Sequence, residues 1–304
     1  MLFRMMIKTM KNNCRMAIFI FLVFILAICI VNSAIADKYT GTSEKKCKRS
    51  GVFLDGFCVD VDNHLLFIKS YGHKPDKDHP VVIFLSGSGN THYVWEKVAP
   101  SVAKFTHIMT YDRTGYGHSQ QYDRPGPLTA SMVVDNLKQL LKKINLPPPY
   151  ILVGHSHGGI YAQYFALTNP QLIKGLVLVD SSTYHLLAWE RFKDYKPSED
   201  VKNTEPFYYE ALGITPSLKL VKSKMIEKGQ KPLGTIPLIV LAAENEKDLG
   251  YFSQSMIENW QKYQKLLSET SKNSIYQFVK GSGHFIQIYK PDLVVKSIKE
   301  VVNY

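Results

Sequence analysis

Five consecutive residues, Gly154-His155-Ser156-His157-Gly158, set a serine between two glycines, after the apolar run Tyr150–Val153 and at the start of the helical pattern His157–Thr168. A G-x-S-x-G pattern at a strand-to-helix turn is the setting in which a serine hydroxyl is raised above the end of a sheet to act as a nucleophile. The flanking glycines fit such a turn because side chains there would strike neighbouring backbone, and Gly159 adds a third small residue where helix and sheet approach. A nucleotide-binding turn is the competing interpretation. The chain has neither a P-loop lysine nor a G-x-G-x-x-G run to support it, and no cofactor is expected.

A serine hydroxyl needs a base. Of ten histidines, His284 is selected by its position. Gly281-Ser282-Gly283-His284-Phe285 follows the last expected strand and precedes the final helix, so its loop returns to the sheet edge that carries Ser156. Nucleophile first and histidine last is one of the known chain orders of a Ser-His-acid triad. Two acids compete for the third place. Asp180 ends the strand Gly175–Val179, and Glu246 lies in the loop after Ile236–Ala243, with Glu244 and Asp248 nearby. A strand-end cap and a solvated turn are their respective non-catalytic interpretations. His155 and His157 form an H-x-H pair, but no third ligand is evident, and no metal is expected.

The elements that would hold these groups alternate. Phe57–Val61 and Leu65–Lys69 flank Asp62-Asn63 as a hairpin. Val81–Leu85, His107–Tyr111, Tyr150–Val153, Gly175–Val179, Ile236–Ala243 and Ser274–Val279 read as strands. Val134, Leu137, Leu141 and Ile144 fall at helical spacing after a Thr129 or Ser131 cap, and a last helix after Pro291 turns Leu293, Val294, Ile298, Val301 and Val302 inward. Strand–helix alternation predicts a mostly parallel sheet covered on both faces. Between Ser181 and Thr235 the rhythm stops and aromatic residues gather, among them Trp189, Phe192, Tyr195, Phe207, Tyr208 and Tyr209. This stretch is expected to form a cap insertion over the site.

The 304 residues are 45% hydrophobic and 21% charged, which excludes a disordered chain and a multi-pass membrane protein. The net charge of +11 is spread along the chain without a basic block, so no nucleic-acid partner is expected. Arg4, Lys8, Lys11 and Arg15, the apolar run Ala17–Val31 and Ala34-Ile35-Ala36 have the form of a secretory signal peptide over residues 1–36. The run is shorter than the roughly 20 residues of a comfortable membrane span. A protein exported to the periplasm or cell exterior is expected, with an uncleaved N-terminal anchor as the alternative. After cleavage only Cys47 and Cys58 remain, and an even pair in an oxidising compartment predicts one disulfide.

Taken together, these residues resemble the α/β-hydrolase superfamily, of the single-domain esterase/lipase-like kind, over essentially all of residues 37–304. Phe84-Leu85-Ser86-Gly87-Ser88-Gly89 is similar to the family's oxyanion loop, with Ser86 where histidine is usual. Tyr111-Asp112-Arg113-Thr114-Gly115-Tyr116-Gly117-His118-Ser119 resembles its Asp-Arg-x-Gly-x-Gly-x-Ser stretch, and Ser282-Gly283-His284-Phe285 its histidine end. The resemblance implies an α/β-hydrolase fold with a helical cap, a serine carboxylesterase-like hydrolase acting on a small ester or acyl substrate with an apolar group, and oxyanion donors from the backbone of Ser88 and His157. The usual Gly-x-x-Asp after the penultimate strand is missing, and Glu246 stands nearest to it. Relatives with a helix like Trp260-Gln261 to Leu267-Ser268 also lack that acid, which favours Asp180. An acyltransferase or peptidase using the same triad, and a non-catalytic binder on this scaffold, are the other function classes.

Overall fold

The structure is a computed structural model that describes residues 47, 51–53, 55–76, 79–121, 126–188, 207–244 and 254–304. Residues 1–36, Trp189, Phe192, Tyr195 and Glu246 lie outside the described residues.

The elements run β1 (Gly51–Phe53), β2 (Gly56–Val61), β3 (His64–Gly72), β4 (Val81–Leu85), α1 (Ala99–Val102), β5 (His107–Tyr111), α2 (Ala130–Lys143), β6 (Tyr150–His155), α3 (Gly158–Thr168) and β7 (Ile173–Val179). They continue as α4 (Phe207–Lys228), β8 (Leu238–Ala243), α5 (Gln254–Ser268), β9 (Ser274–Val279), α6 (Ile286–Tyr289) and α7 (Pro291–Val302). Nine strands form one sheet in the order β1-β2-β3-β5-β4-β6-β7-β8-β9. The first three are antiparallel to their neighbours, and from β5 through β9 the pairing is parallel. The β2–β3 hairpin closes on Asp62 and Asn63, both at positive φ (50° and 62°). Asp and Asn tolerate that conformation better than other side chains.

The continuous apolar strands are explained by two cores. Ile83, Leu85, Leu152, Leu176 and Leu178 face one cluster with α2, α3 and α4. Val82, Phe84, Ile151, Val153, Val177 and Val179 face the other with α7 and the segment around Trp95. Successive side chains alternate faces, so a strand covered on both must be apolar throughout.

Between Ser181 and Thr235, where the family resemblance implied a helical cap, the described part contains one long helix, α4, whose bounds no periodicity announced because Gly213 and Pro216 interrupt it. Its buried residues Ala211, Ile214, Leu218, Val221 and Met225 form a stripe at helical spacing. The packing outweighs the interruption. A side chain at Gly213 would overlap the backbone of Leu128, and the Ser217 hydroxyl accepts from the Ala130 amide at the start of α2 (2.9 Å). Tyr209 adds a backbone bond from Leu128 N–H (2.8 Å). Helix α4 is therefore fastened to the body of the fold along its first turns.

Candidate active site

The site lies where β4 adjoins β6, although the chain has visited β5 between them. Open α/β sheets gather ligands at such a switch of strand order, outside the carboxyl ends of the strands. Register brings the relevant ends level: Leu85 pairs with Gly154, His155 with Val179, and Ala243 with Val279. The residues that follow, Ser86–Gly89, Ser156, Asp180 and the loop to His284, consequently emerge along one edge.

Ser156 sits at φ 50°, a left-handed conformation that is strained for a serine. Tight packing holds the turn. A Cβ on Gly154 would lie 2.6 Å from the Gly159 Cα, and one on Gly158 would overlap the Leu85 carbonyl. Ser156 N–H donates to Val179 O (3.2 Å), and its own carbonyl accepts from Ser182 N–H (2.9 Å). Its neighbours are buried, whereas Ser156 and Ser88 are both half-exposed. Gly87 stands against the serine, since a Cβ placed on it would be 3.1 Å from the Ser156 Cβ.

Asp180 is completely buried, at φ 41°. Its Oδ2 accepts from Nδ1 of His284 at 2.6 Å. Its Oδ1 accepts from the Ala243 amide (3.0 Å) and from the indole Nε1–H of Trp260 (3.0 Å). One oxygen is thus anchored by two neutral donors and the other is aimed at the imidazole, which fixes the tautomer with its proton on Nδ1. Glu244 accepts from Gly281 N–H (2.8 Å) and so braces the loop that leads to His284.

The two histidines around the serine have separate surroundings. Buried His155 donates from Nε2 to the carbonyl of His284 (3.1 Å), and its ring packs 4.7 Å from that of His284. Burial, with the His284 charge next, holds its pKa well below the usual range, so it is neutral. His157 occupies the N-cap position of α3 without a side-chain cap bond, and its ring packs edge-on to Tyr161 at 5.0 Å. Burial lowers its pKa to about 4; Glu210 opposes this shift and Arg113 reinforces it.

Two contributors escaped the sequence reading. The Trp260 indole belongs to a helix noted only as a family likeness. Glu210 is completely buried and paired with Arg113, with its Oε1 2.8 Å from the guanidinium. Its one sequence signal is a lone acid among aromatic and apolar neighbours, Phe207 to Leu212. Near the N-terminus, Cys47 and Cys58 are joined by a disulfide, their Cα atoms 6.0 Å apart, in a small core with Leu65 and Phe67. Among the described residues no group of three or more His, Cys, Asp or Glu is placed to hold a metal ion. No helix among them is long and apolar enough to cross a membrane.

The sheet order, its two helical layers and the G-x-S-x-G turn define the class: the chain is an α/β-hydrolase-fold protein. Residues 80–204 match the family model described as alpha/beta hydrolase fold. Among curated proteins it is similar to YqjL, an uncharacterized protein of Bacillus subtilis, with 26% identity over 75% of this chain and 86% of the relative. Among solved structures it resembles Cfl2 from Burkholderia cenocepacia, at TM-score 0.61 and 17% identity, covering 81% of this chain and 94% of the other. A thermophilic esterase from Thermogutta terrifontis aligns at TM-score 0.60 and 17% identity, covering 82% and 98%. At such identities the structural likeness speaks for the fold.

Proposed function

We propose that the protein is a serine hydrolase that cleaves carboxylic esters, or similar acyl compounds, through Ser156, His284 and Asp180. The observation that carries this reading is the 2.6 Å bond between the Asp180 carboxylate and His284 Nδ1, made at the sheet edge that presents Ser156. His284 takes the Ser156 proton as the oxygen attacks the substrate carbonyl, and Asp180 holds the imidazole in its tautomer and stabilises its charged form. The backbone N–H groups of Ser88 and His157 receive the developing oxyanion, each donor contributing about 2.7–4 kcal/mol. His284 passes that proton to the leaving alkoxide, and departure of the alcohol leaves an acyl-serine and a neutral imidazole. Water then attacks it, with His284 first accepting the water proton and afterwards returning a proton to Ser156.

The preference for Asp180 over Glu246 rests on the two neutral donors on Oδ1, which leave Oδ2 for the histidine. Esterase chemistry in a protein of the same fold, named as such for Thermogutta terrifontis, is consistent with this substrate class. The test is a panel of p-nitrophenyl esters of graded acyl length, run with a fluorophosphonate probe. Hydrolysis together with a label on Ser156 supports the reading, and a label on another residue overturns it. The basic and apolar pattern of residues 1–36 and the Cys47–Cys58 pair support export, with cleavage after Ala36. Intact mass of the protein recovered from the cell envelope or medium then starts at Asp37, and mass retaining residues 1–36 indicates an anchor.

A further inference from the structure

Glu210 reaches from α4 into the body of the fold and collects donors from three separate segments. Its Oε1 accepts from Arg113 Nε (3.0 Å) and from the Tyr161 hydroxyl (2.9 Å). Its Oε2 accepts from the hydroxyls of Tyr116 (2.7 Å) and Ser88 (2.8 Å) and from the Gly89 amide (3.3 Å). Arg113 in turn donates from Nη1 to the Ser86 carbonyl (2.6 Å) and from Nη2 to the Gly87 carbonyl (2.7 Å). Burial alone would push the carboxyl upward, but the Arg113 guanidinium, with the hydroxyl donors, holds it below the usual range, so the pair is charged.

These bonds fix the orientation of consecutive peptides in the Ser86–Gly89 loop. A trans peptide points its C=O and its N–H in opposite directions. With the Gly87 carbonyl turned inward to Arg113, the Ser88 N–H faces away from the buried pair, and Gly87 itself abuts Ser156. The Gly89 N–H is turned the other way, onto Glu210. Free rotation of this loop would aim the Ser88 amide at the serine only part of the time. The ion pair removes that freedom before substrate arrives, which is the preorganisation an oxyanion hole requires.

We infer that Glu210 and Arg113 are positioning residues that orient the Gly87–Ser88 peptide as an oxyanion donor, making helix α4 a working part of the site and not a detachable cover. The inference rests on the serine-hydrolase reading above. Both residues are buried and bonded to the Ser86–Gly89 backbone, and both act through it.

The test compares the full chain with Glu210→Gln on a short-chain p-nitrophenyl ester across a pH series. The expected result is a loss of about 10²–10³ in kcat, the scale of a lost oxyanion donor. KM is expected to stay within about threefold and the acid limb of kcat/KM to keep its midpoint, since the His284–Asp180 pair is untouched. A general loosening of the fold would instead move KM and the limb together, and that pattern overturns the inference. A folded Glu210→Gln protein with kcat within about threefold of the parent also overturns it. A buried guanidinium left without its partner can unfold the single variant. The double variant Arg113→Met with Glu210→Leu therefore serves as the second arm, because it leaves no charge buried alone. It is expected to fold and to show the same loss of kcat, and retained activity in it refutes the inference. Failure of the parent protein to hydrolyse any ester or to label at Ser156 removes the underlying reading and this inference with it. An active parent with indifferent variants removes only this inference.

Discussion

Asp180 and His284 stand 104 positions apart in the chain, yet their carboxylate and imidazole meet at 2.6 Å, both buried. Asp180 stands at the end of β7, beside the β6 strand that leads into Ser156. Substituting Asp180 with Asn keeps the size and the two anchoring donors but offers the imidazole the wrong partner. A fall in kcat of about 10³–10⁴ is expected. Glu246→Gln is expected to leave kcat within about threefold. Steady-state kinetics of the two variants decides, and the opposite ranking would transfer the role to Glu246.

Ser156→Ala and His284→Ala should each abolish ester hydrolysis, and the double variant should be no worse than either alone, because the groups act as a unit. Ser156→Gly separates strain from chemistry. It is equally inactive, but at φ 50° glycine relieves the backbone and gains roughly 1 kcal/mol of stability over the alanine variant. Urea denaturation of the two inactive proteins checks this; equal midpoints would mean that the turn stores no strain.

Trp260→Phe removes one of the two donors on Asp180 Oδ1 and leaves the other, from Ala243, in place. A loss of about tenfold in kcat is expected, with KM little changed. Unchanged kcat would reduce the indole to packing.

Stability should decline on mild acidification. His157 has a folded pKa of about 4 against an ordinary value of 6.5. Between those values the unfolded chain binds a proton that the folded protein does not. The stabilising contribution is therefore whole above pH 6.5 and is lost as pH falls toward 4, amounting to about 3 kcal/mol for this residue. His155 shifts in the same direction. Unfolding free energies at pH 7 and pH 4.5 should differ less in His157→Gln than in the parent, and identical differences would exonerate His157.

Non-reducing mass analysis should find Cys47 joined to Cys58. Reduction should cost about 3 kcal/mol of stability if loop closure is the main effect. A chain with two free thiols under oxidising conditions would contradict the pairing.

The sequence by itself determined the layered α/β architecture and the strand-to-helix turn that presents Ser156. Ser156 is marked by a turn that leaves no room for side chains at Gly154 and Gly158, and the strands by apolar runs that two covered faces demand. These are local constraints, written within a few residues of where they act. His284 was also legible, because it follows the last strand and precedes the last helix, and chain order alone brings that loop to the serine's edge. The meeting of Asp180 with His284 needed the register of β6 on β7 and of β7 on β8, and the arrival of Trp260 and Ala243 on its second oxygen. Nothing near Asp180 in the chain distinguishes a triad acid from a strand-end cap. Helix α4 was hidden by Gly213 and Pro216, whose helix-breaking tendency is offset by contacts with residues some eighty positions earlier. Glu210 and Arg113, 97 positions apart, form a site only once α4 is laid against α3. A buried charge pair has no periodicity and no local motif: its partners are chosen by packing, and only the tertiary structure brings them together.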